Sequence, residues 1–450
     1  MKQKVAIAGA TGFIGKWFID QFHETYHIVA LSRGAVEDER YPDVEWRQAD
    51  LYSLSSTTEA LKDADFALYL VHSMTPSTRL NQGSFENTDL LLADNFARSA
   101  EACKLKQIVF VGGILPKDTK HFSKHLQSRY ETEQTLASRS VPVTTLRAGI
   151  IIGPGGSSFQ VVEQLVKRLP VMACPAWCKS PSQPIDVLDM LAFLKKAIGN
   201  KEAYGQAIEV GGPEVVSYMQ MLKETSQQMN RKRTIFSIPF FTLGFSKLWV
   251  ALFSGSSTTF ISPLIESLRH DMRVKEDQKF NWTGSISISA SIKKALTESA
   301  LKIKRRYAKE EERNTVRSVQ RLGNPGNKSA KWIADRYPGW LDDFFSFILK
   351  AKRKDDQVRF YLFGIMLLQL QYMPERSDEN RRLFFITGGA LSKRSDMGWL
   401  EFRSVLENSY IISAIHRFVP SLPWFVYKYT QAIMHLFVMN QFDRYLKRQS

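Results

Sequence analysis

The sequence predicts an α/β domain built on a doubly wound parallel sheet, followed by an α+β domain in which an antiparallel sheet surrounds a long C-terminal helix. Three observations lead there. Strand-like and helix-like patterns alternate from Lys4 to Ile152. Three glycines, Gly9, Gly12 and Gly15, stand between the first strand and the first helix. Beyond Leu301 the alternation gives way to apolar or alternating runs separated by polar turns, closed by a long apolar-striped helix.

Composition bounds the possibilities. A chain of 450 residues has room for two or three domains, and 44% hydrophobic with 24% charged residues is a globular balance. Three cysteines, Cys103, Cys174 and Cys178, are too few for a disulfide framework. The Cys174/Cys178 pair has no histidine or second pair nearby, which argues against zinc and for free thiols in a reducing, cytoplasmic setting. His121 and His125 are spaced i, i+4, but no third ligand accompanies them, so no metal is expected. Met1-Lys2-Gln3 runs straight into the first strand, so no signal peptide is expected.

The most apolar stretch, Ile235 to Phe253, is interrupted by Pro239, Gly244 and Lys247. The run Leu248 to Ile265 passes through Gly255 and SGSSTT. Neither reads as a membrane span, which leaves peripheral membrane contact through an apolar face as the open alternative. The net charge is +16, with its excess after Leu301. A solvated basic surface and the segment LKIKRRYAKEEER, read as an exposed helix or linker, account for it. No basic motif is interleaved with aromatic residues, so nucleic acid is not expected as a partner.

Lys4 to Gly15 reads KVAIAGATGFIG. Val5 to Ala8 suit a buried strand, and KWFIDQFHETY after Gly15 has the spacing of an amphipathic helix. Glycines at such a strand-to-helix turn suit a dinucleotide. Gly9 allows a sharp turn, Gly12 lets the backbone approach a pyrophosphate, and Gly15 lets helix and strand pack closely. The helix N-terminus adds free N–H groups and a partial positive charge.

Further strands are expected at His27–Arg33, Val44–Leu51, Asp65–Val71, Gln107–Val111 and Val143–Ile152, with a helix around Thr88–Cys103. Strands alternating with helices imply a parallel sheet covered on both faces, with ligands at the carboxyl ends of the strands. Where an NAD-preferring site has a carboxylate at the end of the second strand, this chain has Ser32 and Arg33. A hydroxyl and a guanidinium suit a 2′-phosphate, so NADP is preferred over NAD. Asp50 and Leu51 follow the third strand, where the carboxylate either takes the adenine amino group or caps the next helix.

GATGFIG, ALSR, LRAGIIIGPG and QPIDVLDM together resemble the atypical extended short-chain dehydrogenases/reductases, nearest to isoflavone-reductase-like members. YLVHSM and GGPEVVSY are similar to bacterial NAD(P)-binding proteins that carry an extra C-terminal domain. The resemblance covers about residues 1–300. It implies a Rossmann domain with a smaller substrate-side region. It also implies that Thr11, Gly12, Phe13 and Ile14 contact the pyrophosphate, that Val71 and His72 lie beside the nicotinamide ribose, and that Arg147, Ala148 and Gly149 border the nicotinamide.

The catalytic pattern departs from that family. Its usual Tyr and Lys, four residues apart on one helix face, are here His125 and Arg129 in SKHLQSRYETEQTL. Gly112 and Gly113 stand where its serine belongs. Tyr130 follows Arg129 and points about 100° away around the helix. His125 is either a general acid/base in place of Tyr, with Arg129 holding ribose or phosphate, or both are helix-surface residues of a protein that binds dinucleotide without turnover. His121 is a weaker candidate for the same role. Gly153 to Gly156 should form a loop over the nicotinamide end, covered by FQVVEQLVKRL. Gln183, Ile185, Asp186 and Asp189 read mainly as a structural turn and helix start. The apolar run from Ile235 to Phe260 could line a substrate pocket, an interface or a membrane-facing patch.

After a charged linker at residues 301–312, residues 313–450 read as strands NTVRSVQRL, VRFYLFGIMLLQLQYM, RRLFFITGGAL, GWLEFRSVL and YIISAIHRFVP, with a helix in KSAKWIADRYPGWLDDFF and a final helix Trp424–Leu446. A curved antiparallel sheet around one such helix is a helix-grip architecture. ITGGAL, LEFRSVL and LPWFVYKYTQAIMHLFVM resemble the START-like, hydrophobic-ligand-binding domain of the same bacterial proteins. Such folds often enclose an apolar cavity between sheet and helix; the stripe Trp424, Tyr427, Met434, Phe437 and Val438 is expected to fill it rather than line it, and His416, Arg417 and His435 are candidate polar anchors should a cavity remain. The whole predicts an NAD(P)H-binding, reductase-like protein acting on an apolar carbonyl or alkene. A dinucleotide sensor or scaffold, or a lipid-binding protein, is the alternative.

Overall fold

Alternation of short buried strands with amphipathic helices yields the expected parallel sheet. The computed structural model describes residues 2–36, 38–73, 80–116, 123–238, 266–267, 269–280, 282–303, 305–306, 315–346, 348–394 and 396–449. It divides into two units, Met1–Met74 with Asn95–Tyr307, and Thr75–Asp94 with Ala308–Ser450.

Among the described residues the main sheet of the first unit has eight parallel strands: β1 (Lys4–Ala8), β2 (His27–Ser32), β3 (Glu45–Gln48), β4 (Phe66–Tyr69), β5 (Gln107–Gly113), β6 (Val143–Ala148), β7 (Ala207–Gly211) and β8 (Trp282–Thr283). Their order is β8-β7-β6-β5-β4-β1-β2-β3. The order reverses between β1 and β4, so a ligand crevice opens at their carboxyl ends. Val5, Ala6, Ile7 and Ala8 are fully buried, as a strand covered on both faces requires.

Among the described residues eight helices accompany the sheet: α1 (Phe13–Phe22), α2 (Leu54–Leu61), α3 (Phe85–Ala102), α4 (Lys124–Leu136), α5 (Ser157–Arg168), α6 (Val187–Ala197), α7 (Tyr218–Gln228) and α8 (Ile288–Thr297). Phe18 of α1 and Met190 and Leu194 of α6 join one core with Ile7, Leu68 and Val109. On the other face Phe96 of α3 packs edge-on against Tyr69, 4.9 Å between ring centres. A smaller core, with Phe159, Met221 and Ile292, joins α5, α7 and α8.

Two of these strands escaped the sequence reading. Glu209 interrupts the apolar run of β7, and β8 has two residues, too few to show a period. The expected strand Val143–Ile152 is split. Val143–Ala148 lies in the sheet, whereas Ile151–Ile152 pairs with Ile185–Asp186. The charged segment after Leu301 is not simply an exposed helix or linker, because Arg305 and Arg306 pair antiparallel with Val36 and Ala35. Residues 307–314 and the apolar stretch 239–265 lie outside the described residues.

The second unit contains β9 (Val316–Gly323), α9 (Ala330–Phe345), β10 (Leu349–Lys354), β11 (Gln357–Leu362), β12 (Ile365–Tyr372), β13 (Arg381–Gly388), β14 (Trp399–Val405), β15 (Tyr410–Phe418), α10 (Trp424–Tyr429) and α11 (Gln431–Lys447). Seven strands pair antiparallel in the order β10-β11-β12-β13-β14-β15-β9, and Leu80–Gln82 adds to β9 in parallel. This strand, the Gln82 amide on Ala432 O (2.8 Å) and the Asn87 amide on Val319 O (3.3 Å) bind an early segment into the second unit. A single boundary near 301–312 is therefore not what the structure has. NQGSFENTDLLLAD reads locally as loop and helix, with no sign of its distant partner.

One sheet face and two helices share an aromatic core. Phe442 of α11 lies 5.0 Å from Tyr337 and 4.8 Å from Trp340 of α9, and Tyr337 lies 5.3 Å from Phe402. The final helix is not continuous: at Thr430, with φ −126° and ψ −85°, it breaks into α10 and α11. Nor does its stripe fill the interior as expected. Tyr427 and Val438 are buried, but Met434 and Phe437 are 54% and 44% exposed, because they fall on the side facing away from the sheet.

The opposite sheet face carries buried charge. Arg403 donates to Asp94 at 2.7 Å and to Glu401 at 3.0 Å. Arg381 pairs with Glu401 at 2.7 Å, and His416 Nε2 lies 3.2 Å from Glu401. Trp399 stacks on His416. Burial pushes the Glu401 carboxyl up, but Arg403, Arg381 and His416 outweigh it and hold it well below the usual range. Burial lowers the His416 imidazole, with Glu401 only partly offsetting it.

Candidate active site

The glycine turn closes as its sequence requires. Gly9 has φ +91°, and a Cβ there would lie 2.9 Å from Leu70 O. Gly12 N–H donates to Gly9 O at 2.8 Å. A Cβ on Gly15 would lie 2.4 Å from Gly9 O, so only glycine lets α1 sit this close to the turn. Gly12 begins α1 with no side-chain cap and no acidic residue in the first turn. The first helical N–H groups, those of Phe13 and Ile14 among them, have no intrahelical acceptor and suit a pyrophosphate. The Phe13 ring itself supports the Gly153–Gly156 loop, where a Cβ on Gly156 would lie 3.1 Å from it. Trp17 Nε1 donates to Pro154 O at 3.2 Å and ties the same loop to α1.

At the end of β2 the Ser32 hydroxyl is buried without a hydrogen-bond partner among the described residues. Such an orphan is costly unless a ligand satisfies it. Arg33 beside it is exposed, with its carbonyl accepting from Gln48. Asp50 accepts from Tyr52 N–H at 3.2 Å, shaping the turn before α2, whose cap is Ser53 rather than Asp50. Leu51 O accepts from the Asn95 amide at 2.8 Å.

At the carboxyl ends of β4 and β5 the structure brings two histidines together. Nε2 of His72 and Nδ1 of His125 share a hydrogen bond of 3.2 Å, with both rings half-buried. Arg129, one turn further on, is buried beneath them. It donates to Val71 O at 3.1 Å and to Val111 O, and its guanidinium lies 4.6 Å from the Phe110 ring centre. This joins the ends of two strands. One turn on again, Glu133 takes Arg147 in a two-point ion pair, 2.6 and 3.0 Å. Ala148 is buried, and its carbonyl accepts from Ile114 N–H. Gly112 and Gly113 are crowded: a Cβ would meet Thr145 and Leu126, each at 3.1 Å.

Sequence reasoning did not name Glu133 or Phe110. Residues 125, 129 and 133 are spaced i, i+4, i+8, and that stripe was the available signal for Glu133. His121 lies outside the described residues. Gln183 and Asp189 have structural work. The Gln183 amide donates to Gly212 O, and Asp189 accepts from the N–H groups of Ser285 and Ile286. Asp186 caps α6. Cys174 and Cys178 are buried free thiols.

Known proteins share the fold of the first unit. A family described as NAD(P)H-binding matches residues 9–168. The auxiliary protein GraX of Staphylococcus aureus is 28% identical over 149 residues, which is 32% of this chain, and the chain spans only 44% of that relative's length. A nucleoside-diphosphate-sugar epimerase of Staphylococcus aureus superposes with TM-score 0.51 at 15% identity, covering 65% of this chain and 99% of the other. Triphenylmethane reductase of Citrobacter sp. gives TM-score 0.52 at 15% identity, covering 66% and 100%. The phosphate turn, the switch point and the family match over residues 9–168 together make the first unit an NAD(P)H-binding Rossmann domain, which shares its fold with that epimerase and that reductase.

Proposed function

We propose that the protein is an NADPH-dependent reductase of the atypical extended, isoflavone-reductase-like kind, acting on an apolar carbonyl or conjugated alkene. The observation that carries this reading is the His72–His125 pair at the carboxyl ends of β4 and β5. Gly9, Gly12 and the start of α1 would hold the pyrophosphate, and Ser32 and Arg33 the 2′-phosphate. Bound NADPH supplies a hydride. The histidines supply the proton. A pair carrying one proton beyond two neutral rings can release it from Nε2 of His125 while the proton between the rings passes from His72 to His125, leaving both neutral. Arg129 acts as a positioning residue, fixing the strand ends on which Val71 and His72 sit. The triphenylmethane reductase was also solved with NADP(H).

Titration with NADPH and NADH tests the cofactor reading. NADPH is expected to bind tighter, and Arg33→Ala to weaken NADPH about tenfold or more while leaving NADH little changed. Equal losses would reject the preference. A screen of apolar carbonyl compounds then tests catalysis. His125→Ala should lower turnover by about 10²–10⁴-fold with NADPH affinity retained, and unchanged turnover would remove His125 from the mechanism.

One observation favours a second reading, a dinucleotide sensor: Arg129 is occupied with backbone carbonyls, and Gly112 and Gly113 are packed where the family's serine would stand. NADPH binding with no turnover on any substrate would support it. For the second unit we propose a START-like helix-grip domain. The C-terminal helix against an antiparallel sheet supports that reading, although α9 shares the same core.

A further inference from the structure

We infer that the second unit docks on anionic lipid bilayers through an apolar face formed by α10, the first half of α11 and the β11–β12 turn. Phe425 and Tyr429 lie four residues apart on α10, and Ile433 and Phe437 four residues apart on α11, and they are 69, 66, 54 and 44% exposed. The buried side of the same segment is apolar too, with Tyr427, Ala432, Val438 and Met439. A helix facing water should be polar on its outer side, as α11 becomes only from Asn440 onward.

The face extends further. Phe344 of α9 meets Phe437, 6.3 Å between ring centres. Ile348, four residues on, accepts through its carbonyl from the N–H of Phe363. Phe363 and Gly364 form the two-residue turn between β11 and β12, with φ +48° and +83°. Such turns favour Asn-Gly, because left-handed φ strains bulky residues. Here the strained position holds a phenylalanine that is 75% exposed, next to Ile365 at 63%. An aromatic side chain kept there at a conformational cost, uncovered by its own unit, is suited to insertion into an apolar phase.

Charge selects the occupant. From Asn408 to Gln441 there is no Asp or Glu, while Lys428 and Arg417 are present. Lys428 is exposed within the stripe, beside the Tyr429 ring, and exposed Lys393 is bonded through its backbone to Val419 near the start of the stripe. A chain of net charge +16 repels a second copy of itself and is drawn to an anionic surface. Separated aromatic and aliphatic side chains with interspersed lysine suit the headgroup boundary, which demands no matched shape. Among the described residues no helix is long and apolar enough to cross a membrane.

Co-sedimentation of the full chain with phosphatidylcholine vesicles, with and without phosphatidylglycerol, tests this. Binding is expected on the phosphatidylglycerol vesicles, weakening as salt is raised. The double variant Phe363→Ser/Phe425→Ser should lower partitioning about tenfold or more, with circular dichroism and NADPH affinity unchanged. Lys428→Glu should weaken binding to the anionic vesicles alone. No sedimentation with either vesicle, or equal partitioning by the double variant, would overturn the proposal. So would a wild-type dimer that the double variant dissociates without any effect on vesicle binding.

Discussion

Two histidine sites in this chain place the same side chain in opposite surroundings. His416 is fully buried on a sheet face, pinned by Glu401 and stacked on Trp399, inside a network that runs through Arg403 to Asp94. His125 is half-buried and bonded to a second imidazole at the mouth of a crevice. In the first case burial favours the uncharged ring, and proton transfer would unsettle the surrounding ions. In the second, each ring can hold a proton for the other, and neither is locked in a dry interior. The difference teaches that a histidine's use follows from what its partner can do with a proton.

The comparison can be broken first at Arg403. Replacing it with Met takes one ion-pair partner from each of the buried carboxylates of Asp94 and Glu401. Urea unfolding should show a loss of about 3–5 kcal/mol, and a loss near zero would mean that the network is not a structural clamp. Acid should act in the same place. The folded-state value of His416 lies below its usual 6.5, so the unfolded chain takes up that proton first. Stability is full above about pH 6.5 and falls as pH drops through that range. Glu401, held well below 4.5, adds a second loss below about pH 4.5. A thermal midpoint flat from about pH 7 to about pH 4 would contradict this.

Exchanging each histidine for Gln sharpens the contrast. His416→Gln should cost about 1–3 kcal/mol by leaving buried groups poorly paired. His72→Gln should shift stability by no more than about 0.5 kcal/mol while reducing turnover, and equal stability losses would erase the distinction. The smallest effect is expected at Ser32. Its hydroxyl has no hydrogen-bond partner among the described residues, so Ser32→Ala should leave stability unchanged or slightly raised and weaken NADPH only a few-fold. A clear loss of stability would show the hydroxyl to be structural.

Much of the first unit was legible because its signals are local. The glycine triplet, the apolar strands and the helix spacing each lie within a dozen residues. Both histidines were named beforehand, His125 from its helix and His72 from the family resemblance, but nothing in either segment says that they touch. Arg129 shows the limit most clearly. Its spacing from His125 was legible, yet its guanidinium is occupied by carbonyls of two strands far away in the chain. In the second unit, strand and helix patterns were readable, whereas the exposed side of α10 and α11 was not. An apolar stripe has the same sequence whether it faces a core or the outside.

By itself, then, the sequence determined the parallel sheet, the phosphate turn and the Ser32-Arg33 pair at the end of β2, because steric freedom at glycine and local hydrophobic period act over a few residues. Only the tertiary structure decided that residues 80–94 belong with the second unit, that Glu401 and Arg403 share one buried network, and that His72 meets His125. Those outcomes depend on which distant groups are brought within a few ångströms, and short-range pattern carries no record of that.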